Sequence, residues 1–345
     1  MTQLMLPLDD LLESEAQASD MTYLATGTPL HANPHHAEPA TVPTKASVGE
    51  MPEVLAGRYR IERLLGAGGM GTVYRARDLL SEQFGDPNPH IALKILSEEF
   101  AETPDASALL YSEFALTRRL RHNNVLRLHT FEVDIDHQHA FITMELMRGL
   151  TLDKLLCERP LGLPWNELRD ITLPLLDALA YAHACGVLHG DIKPSNVMLC
   201  EDGVRLFDFG LGMAEEGILP GLPRLSRERF NACTPGYAAP ELLERQPLTA
   251  RADVYGVACI IYELASGKHP FRRLPSTEAR DERLDRVLQA PRSLPKSCWP
   301  ALRMALAFDP TARVTTVSDL YRVLGGPTSW LEHWRYRRNK QPGGF

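Results

Sequence analysis

The sequence predicts an α+β protein with a small β-rich N-terminal lobe and a larger α-helical C-terminal lobe. Short segments with alternating or β-branched residues recur between residues 59 and 145, and the pattern turns mostly helical from 151 to 325. Strands that precede helices, rather than alternating with them, are typical of α+β folds. With 345 residues and 44% hydrophobic composition, the chain can bury one large core or two modest ones.

The first lobe is predicted to contain several strands and one main helix. The helix covers 104–121, where apolar residues recur at helical spacing. Between the second and third strands, Ser81–His90 contains Gly85, Pro87 and Pro89 and is predicted to be an elongated surface loop. The predicted strands cover 59–65, 73–76, 91–96, 125–133 and 138–145, and a helix of the second lobe covers 165–184.

Composition divides the chain into three parts. Residues 1–55 hold eight acidic residues against one lysine, a net charge of −7, and are rich in Pro and Ala from residue 21, so we predict a disordered arm. Leucines near its start fall at helical spacing. Two interpretations remain, a short helix that docks on a partner or a frayed tail. The folded domain is predicted to cover 56–326, with lobes at 56–147 and 148–326, and 327–345 is a short basic and aromatic tail.

Several classes of protein are disfavoured by the same composition. No long basic face is present, so a nucleic-acid partner is not expected. No window approaches about 18 consecutive apolar residues, and the N-terminus lacks the basic start of a secretory signal. The six cysteines are scattered singly, which suits a reducing compartment. We therefore expect a cytoplasmic protein without a membrane span.

A glycine-rich string lies between the first two predicted strands. Gly66-Ala67-Gly68-Gly69-Met70-Gly71 matches G-x-G-x-x-G, which by itself is a weak signal because it also opens dinucleotide-binding helices. Thr72-Val73-Tyr74 continues as a strand, which argues against such a helix. A phosphate-binding loop and a plain hairpin turn remain as alternatives.

The most specific segment is His189-Gly190-Asp191-Ile192-Lys193-Pro194-Ser195-Asn196, followed by Asp208-Phe209-Gly210. It places an acid, an ammonium group and an amide at offsets 0, +2 and +5, and Asp208 adds a second carboxylate. A carboxylate that accepts a hydroxyl proton, a lysine that offsets phosphate charge and two oxygen ligands for Mg²⁺ suit phosphoryl transfer.

From about Arg58 to Leu324 the chain resembles a Hanks-type (eukaryotic-like) serine/threonine protein kinase, and is most similar to the bacterial branch. The resemblance implies the bilobal protein-kinase fold, Mg²⁺ (or Mn²⁺) and ATP as cofactors, and transfer of the γ-phosphate to Ser or Thr of protein substrates. The K-P-x-N form of the catalytic loop, which includes Lys193, resembles Ser/Thr rather than tyrosine kinases.

The resemblance also assigns roles to individual residues. Lys94 would hold the α- and β-phosphates and pair with Glu113, Asp191 would orient and deprotonate the substrate hydroxyl, and Lys193 would offset γ-phosphate charge. Asn196 and Asp208 would hold the metal. Met144 would narrow the pocket behind the adenine, next to hinge residues that bind adenine through their backbone. The implied nucleotide-binding residues are Leu65, Gly66, Ala67, Gly68, Gly69, Met70, Gly71, Val73, Ala92, Lys94, Met144, Glu145 and Met147.

Thr234-Pro235-Gly236-Tyr237-Ala238-Ala239-Pro240-Glu241 matches the end of a kinase activation segment. Thr234 is expected to contact Asp191 and Lys193, and Glu241 to form a buried pair with Arg313. Asp253 is expected to bind the backbone of the catalytic loop, and His189 to support that loop structurally. Kinases of small molecules lack this segment, so protein is the better substrate prediction.

One departure from the family pattern concerns regulation. Gly190 stands where most members have Arg, the residue that usually grips a phosphorylated activation loop. Activity is therefore expected not to depend strongly on such phosphorylation (a non-RD kinase). Ser226, in an Arg-rich run, is the predicted autophosphorylation site. The rival function is a pseudokinase scaffold that binds ATP or partners, which ranks second because Lys94, Asp191 and Asp208 are all present.

Overall fold

A computed structural model describes residues 52–68, 71–96, 106–137, 139–209, 212–214 and 234–326. Most of the predicted N-terminal arm, Ser226 and the predicted tail at 327–345 lie outside these ranges. No helix in the described part of the chain has the length and apolar character needed to cross a membrane.

The first lobe is built on a six-stranded antiparallel sheet in the order β1-β2-β3-β4-β6-β5. Its strands are β1 Val54–Leu55, β2 Tyr59–Gly68, β3 Gly71–Asp78, β4 His90–Leu96, β5 Leu128–Asp134 and β6 His139–Glu145. Two residues of the predicted arm belong to this sheet, since Leu55 is fully buried and pairs with Tyr59, and Val54 pairs with Arg60. A strand of two residues is too short to show a periodicity in the sequence.

Alternation along the strands separates two apolar clusters. Leu93 and Ile95 of β4 pack on one face with Phe141 of β6, whereas Ala92 faces the opposite side. On that opposite side the sheet packs against helix α2, Ala106–Arg119, through Phe114 and other apolar residues. One face of β4 therefore packs against apolar residues of the neighbouring strands, and the other face packs against α2.

The predicted loop at Ser81–His90 is wrong over its first residues, which belong to a short helix, α1 at Leu79–Gln83. Asp78 caps this helix, since its Oδ1 accepts hydrogen bonds from the backbone N–H groups of Leu80 (3.1 Å) and Ser81 (3.4 Å). The glycine and prolines that suggested a loop lie beyond the helix, in residues that connect it to β4.

The second lobe is mostly helical and contains the largest apolar core. Its helices are α3 Leu152–Glu158, α4 Trp165–Ala184, α5 Pro240–Leu243, α6 Ala250–Ser266, α7 Ser276–Asp281, α8 Trp299–Ala305 and α9 at 317–326. Its strands are β7 Gly149–Thr151, β8 Val187–Leu188, β9 Val197–Cys200, β10 Gly203–Leu206 and β11 Met213–Ala214. Helix α4 has the bounds that the sequence predicts, and α6 is buried along most of its length.

The lobes meet where the segment after α2 runs beside β10. The backbone N–H of Leu126 donates to the carbonyl of Leu206 at 3.0 Å, and the N–H of Leu206 donates to the carbonyl of Asn124 at 2.8 Å. The Asn124 side chain adds a bond to the carbonyl of Val204 at 2.8 Å. These bonds place the residues that follow β10 next to the first lobe.

Candidate active site

Lys94 lies at the centre of a group of charged side chains between the lobes. Its Nζ donates to both carboxylate oxygens of Glu113, each at 2.8 Å, and to Oδ1 of Asp208, also at 2.8 Å. Lys94 faces α2, which carries Glu113, because its neighbours Leu93 and Ile95 occupy the other face of the sheet. The predicted contact between Lys94 and Glu113 is present, and Asp208 joins it from the second lobe.

One ammonium group is shared by two carboxylates. Burial disfavours a charged Lys94, but Asp208 and Glu113 together outweigh this effect and raise the pKa of Lys94. Burial raises the pKa of Glu113, and the attraction of Lys94 only partly offsets it. Burial acts in the same direction on Asp208, but the attraction of Lys94 dominates there and lowers the pKa of Asp208. With both carboxylates ionised, the group carries a net negative charge.

The loop between β8 and β9, which the sequence predicts to be the catalytic loop, brings Asp191, Lys193 and Asn196 together. The Nζ of Lys193 lies 2.9 Å from Oδ2 of Asp191. The side-chain amide of Asn196 donates to the backbone carbonyl of Asp191 at 2.9 Å and to its Oδ2 at 3.3 Å. A 3₁₀ turn at Pro194–Asn196 folds the chain back and makes these contacts possible.

Asp253, at the start of α6, holds the backbone of this loop, as the sequence predicts. Its carboxylate accepts the N–H of His189 and the N–H of Gly190, each at 2.8 Å, and contacts Nε2 of His183 at 2.9 Å. Burial raises the pKa of Asp253, but His183 and these N–H groups outweigh it and lower the pKa. The loop is therefore fixed to a buried, ionised side chain.

His189 has a structural position, also as predicted. It is fully buried, its Nδ1 accepts the N–H of Asp191 at 3.2 Å, and its Nε2 donates to the carbonyl of Phe207 at 3.0 Å. Its ring packs 4.5 Å from that of Phe209, which is also buried. Asp208, between these two phenylalanines, has a φ of +62°, a left-handed conformation that Asp tolerates better than most residues. Gly210 lies outside the described residues.

The glycine-rich string forms the ends of β2 and β3. Gly66, Ala67 and Gly68 belong to β2, Gly71 begins β3, and Gly69 and Met70 are outside the described residues. A Cβ on Gly71 would lie 2.4 Å from the carbonyl oxygen of Ile95, so only glycine allows this approach of β3 to β4. Gly68 and Gly71 are paired, so β2 and β3 are antiparallel neighbours here, and a strand rather than a helix follows Gly71.

Apolar and hinge residues continue the site behind the hairpin. Val73 is half-buried and Leu65 is exposed, whereas Ala92 and Met144 are buried and pair with each other across β4 and β6. In the hinge, the carboxylate of Glu145 accepts the backbone N–H of Arg127 at 2.8 Å, while Met147 is half-buried and packs against the cluster that contains Met144. The backbone N–H of Glu145 in turn donates to the carbonyl of Arg127 at 3.0 Å, so both the side chain and the N–H of Glu145 are bonded to the neighbouring strand segment.

The segment from Thr234 to Glu241 lies beside the catalytic loop. The Oγ1 of Thr234 accepts a hydrogen bond from Lys193 at 3.1 Å, one of the two contacts that the sequence predicts for it. Glu241 forms the predicted buried pair with Arg313, with N–O distances of 2.6 and 3.3 Å. Both residues are buried, and the pair connects this segment to the loop before α9.

Sequence reasoning missed a second group of polar residues beneath this segment. Tyr237 donates to the buried carboxylate of Glu263 on α6, and Arg273 donates to the same carboxylate at 3.0 Å. Burial and Glu263 raise the pKa of Tyr237, so its hydroxyl remains a donor. The available signal was Glu263 itself, an acid in an otherwise apolar stretch of helix.

Comparison with known proteins gives a consistent result. The protein kinase domain family matches residues 59–323. The serine/threonine-protein kinase PkaA of Streptomyces coelicolor is 32% identical over 269 residues, 75% of this chain and 48% of PkaA. The serine/threonine-protein kinase PknE of Mycobacterium bovis is 30% identical over 270 residues, 76% of this chain and 45% of PknE. This chain therefore spans about half the length of these relatives.

Among solved structures, the PknI kinase domain of Mycobacterium tuberculosis is similar with a TM-score of 0.57 and 27% sequence identity. The similarity covers 79% of this chain and 96% of that domain.

Proposed function

The chain belongs to the protein kinase family, and on that premise we propose that it transfers the γ-phosphate of ATP to Ser or Thr hydroxyls of proteins. The observation that carries the proposal is the position of the Lys94 ammonium, 2.8 Å from carboxylates of both lobes. A cation at this point can hold phosphates supplied from the first lobe against the catalytic loop of the second.

Asp208 and Asn196 would hold the metal ion. A carboxylate and an amide oxygen are ligands suited to Mg²⁺ or Mn²⁺. The net negative charge of the group formed by Lys94, Glu113 and Asp208 also favours a cation there. When bound, the metal neutralises charge on the phosphates.

The nucleotide would lie between the hairpin and the hinge. The glycines of Gly66–Gly71 allow backbone amides to approach phosphates without a side-chain clash. Val73, Ala92 and Met144 would offer an apolar lining for a base, and the backbone carbonyl of Glu145 and the backbone of Met147 would offer hydrogen bonds.

In the catalytic loop, Asp191 would hold the acceptor hydroxyl and take its proton as the oxygen bonds to phosphorus. Lys193, 2.9 Å from Asp191, would offset the charge of the transferred phosphoryl group. Thr234, bonded to Lys193, supports the loop from the substrate side.

We further propose that Gly190 makes turnover independent of activation-loop phosphorylation. Its N–H is bound to Asp253 and its φ is +80°, so the loop is positioned by α6 without an arginine. Phosphatase treatment should leave the rate unchanged, and loss of turnover would contradict the idea. Autophosphorylation at Ser226 is part of the same proposal, and phosphopeptide mapping tests it.

Docking of a partner on the N-terminal arm and a cytoplasmic location also remain proposals. The second is supported by Cys157, Cys185, Cys200, Cys259 and Cys298, all free thiols in the described part of the chain.

The test is ³²P transfer from Mg²⁺-ATP to the chain itself and to casein or myelin basic protein. Lys94→Ala and Asp191→Asn should each abolish transfer. Thermal unfolding of both variants serves as a folding control, because Lys94→Ala leaves the buried Glu113 and the partly exposed Asp208 without their cation. Nucleotide binding without transfer by the unmodified chain would contradict the proposal and favour a pseudokinase scaffold.

A further inference from the structure

Two consecutive arginines after α6 adopt a backbone conformation that L residues rarely take. Arg272 and Arg273 have φ of +56° and +59°. At such positions glycine or asparagine would be less strained. Arg245 and Arg283 share this conformation. What distinguishes Arg272 and Arg273 is that they are adjacent to each other and that Arg273 lies beside Gly236. We call these two residues the arginine edge.

The edge is rigidly held. The Nδ1 of His269 accepts the backbone N–H of Phe271 at 3.1 Å and that of Arg273 at 3.0 Å. The ring of Phe271 is fully buried and packs 4.6 Å from that of Phe308. The backbone that carries the two arginines is therefore anchored to the core of the second lobe through His269 and Phe271.

The edge adjoins the place where a phosphate acceptor would enter. A Cβ on Gly236 would lie 3.2 Å from the carbonyl oxygen of Arg273 and 3.4 Å from its Cα. Gly236 is two residues after Thr234, whose hydroxyl is bonded to Lys193 beside Asp191. A substrate chain that reaches Asp191 therefore runs close to the arginine edge.

The two arginines differ in their partners. Arg273 is paired with the buried carboxylate of Glu263 at 3.0 Å, so its charge is largely compensated. Arg272 is exposed, and no carboxylate in the described part of the chain forms an ion pair with it. The edge therefore presents one uncompensated guanidinium to solvent.

We propose that Arg272 recognises an anionic side chain of the protein substrate, a carboxylate or an existing phosphate, close to the acceptor Ser or Thr. The inference rests on the proposed function. An extended peptide advances about 3.4 Å per residue, so the anionic residue is expected within about five residues of the acceptor. The planar guanidinium suits both a carboxylate and a phosphate.

The test uses the full chain and a set of peptides with one acceptor Ser and a single Glu, phosphoserine, Lys or Ala at each position from five before to five after it. Arg272→Gly removes the side chain and keeps the left-handed backbone accessible. Arg283→Gly is the matched control, since Arg283 is also exposed and has φ of +55°. Rates are measured as kcat/KM, and fluorescein-labelled copies are titrated by anisotropy.

At low salt the unmodified chain is expected to favour the anionic peptide over the Ala peptide by about fivefold at one or two positions, the upper range for an exposed ion pair. The preference should shrink at high salt. It should disappear in Arg272→Gly, persist in Arg283→Gly, and change to a preference for Lys in Arg272→Glu. The relative gains with Glu and phosphoserine show which anion is the better ligand.

Equal kcat/KM for anionic and Ala peptides in the unmodified chain, or a preference that survives in Arg272→Gly, would overturn the inference. If no peptide is phosphorylated, the anisotropy titrations still decide it, and the absence of transfer counts against the proposed function alone.

Discussion

Replacing Glu241 with Gln is expected to lower the free energy of unfolding by about 3–5 kcal/mol, because it leaves a buried cation without its counter-ion. The Arg313 side chain has no solvent exposure, and its Nη atoms lie 2.6 and 3.3 Å from the Glu241 carboxylate oxygens. Its remaining N–H groups donate to backbone carbonyls, including that of Ala307. Gln preserves the shape and one acceptor oxygen but removes the negative charge, and water cannot replace it at this depth.

The matched control is Glu244→Gln. Glu244 pairs with Arg280 at 2.7 Å, nearly the same distance, but the two side chains are 43% and 41% exposed. The same substitution should therefore change stability by at most about 0.5–1 kcal/mol. Urea unfolding followed by circular dichroism measures both variants. A loss below about 1 kcal/mol in Glu241→Gln, or equal losses in the two variants, would refute the reasoning from burial.

Three other changes test the supports of the site and the sheet. Asp253→Asn offers one acceptor oxygen to two loop N–H groups, so it should lower turnover while leaving nucleotide affinity nearly unchanged. Steady-state kinetics measures turnover and a nucleotide titration measures affinity. Unaltered turnover would argue against the role of Asp253 in holding the loop. Gly256→Ala would place a methyl group 2.9 Å from Cβ of Ile192, and about 1–3 kcal/mol of lost stability is expected by urea unfolding. Arg58 lowers the pKa of Asp78 to about 2 from the ordinary 3.8, so the stability that ionised Asp78 contributes is complete above about pH 4 and is lost as the pH falls toward 2. The difference in urea midpoint between the unmodified chain and Asp78→Asn should therefore narrow over that window, and a constant difference would contradict the assignment.

The sequence predicted contacts best where a charged residue occupies a fixed place in a motif. Lys94 could be paired with Glu113 because one lies on a strand of the lobe and the other on its main helix. Prediction from the sequence failed for short secondary-structure elements. The helix after Asp78 has a capping residue, but the glycine and prolines that follow dominated the pattern.

Contacts between single, distant residues could not be predicted. Glu263 signalled a buried acid, but its partner Arg273 is one of two adjacent arginines, and the sequence does not indicate which of them contacts Glu263. His183 likewise shows no pattern that separates it from a surface histidine, although it binds Asp253. Tertiary packing determines which of these residues are in contact, and the local periodicity of the sequence does not indicate such contacts.

The meeting of Lys94 with two carboxylates has a cause in the connection between the lobes. Glu113 is on α2, and the chain leaving that helix is hydrogen-bonded through Leu126 to Leu206, two residues before Asp208. Asp208 thus follows the junction by two residues, and the helix that carries Glu113 ends at Arg119, seven residues before Leu126. A movement of α2 that withdraws Glu113 from Lys94 would pull on the same junction that positions Asp208. We therefore expect a variant that weakens the junction to affect both the ion pair of Lys94 with Glu113 and the position of Asp208.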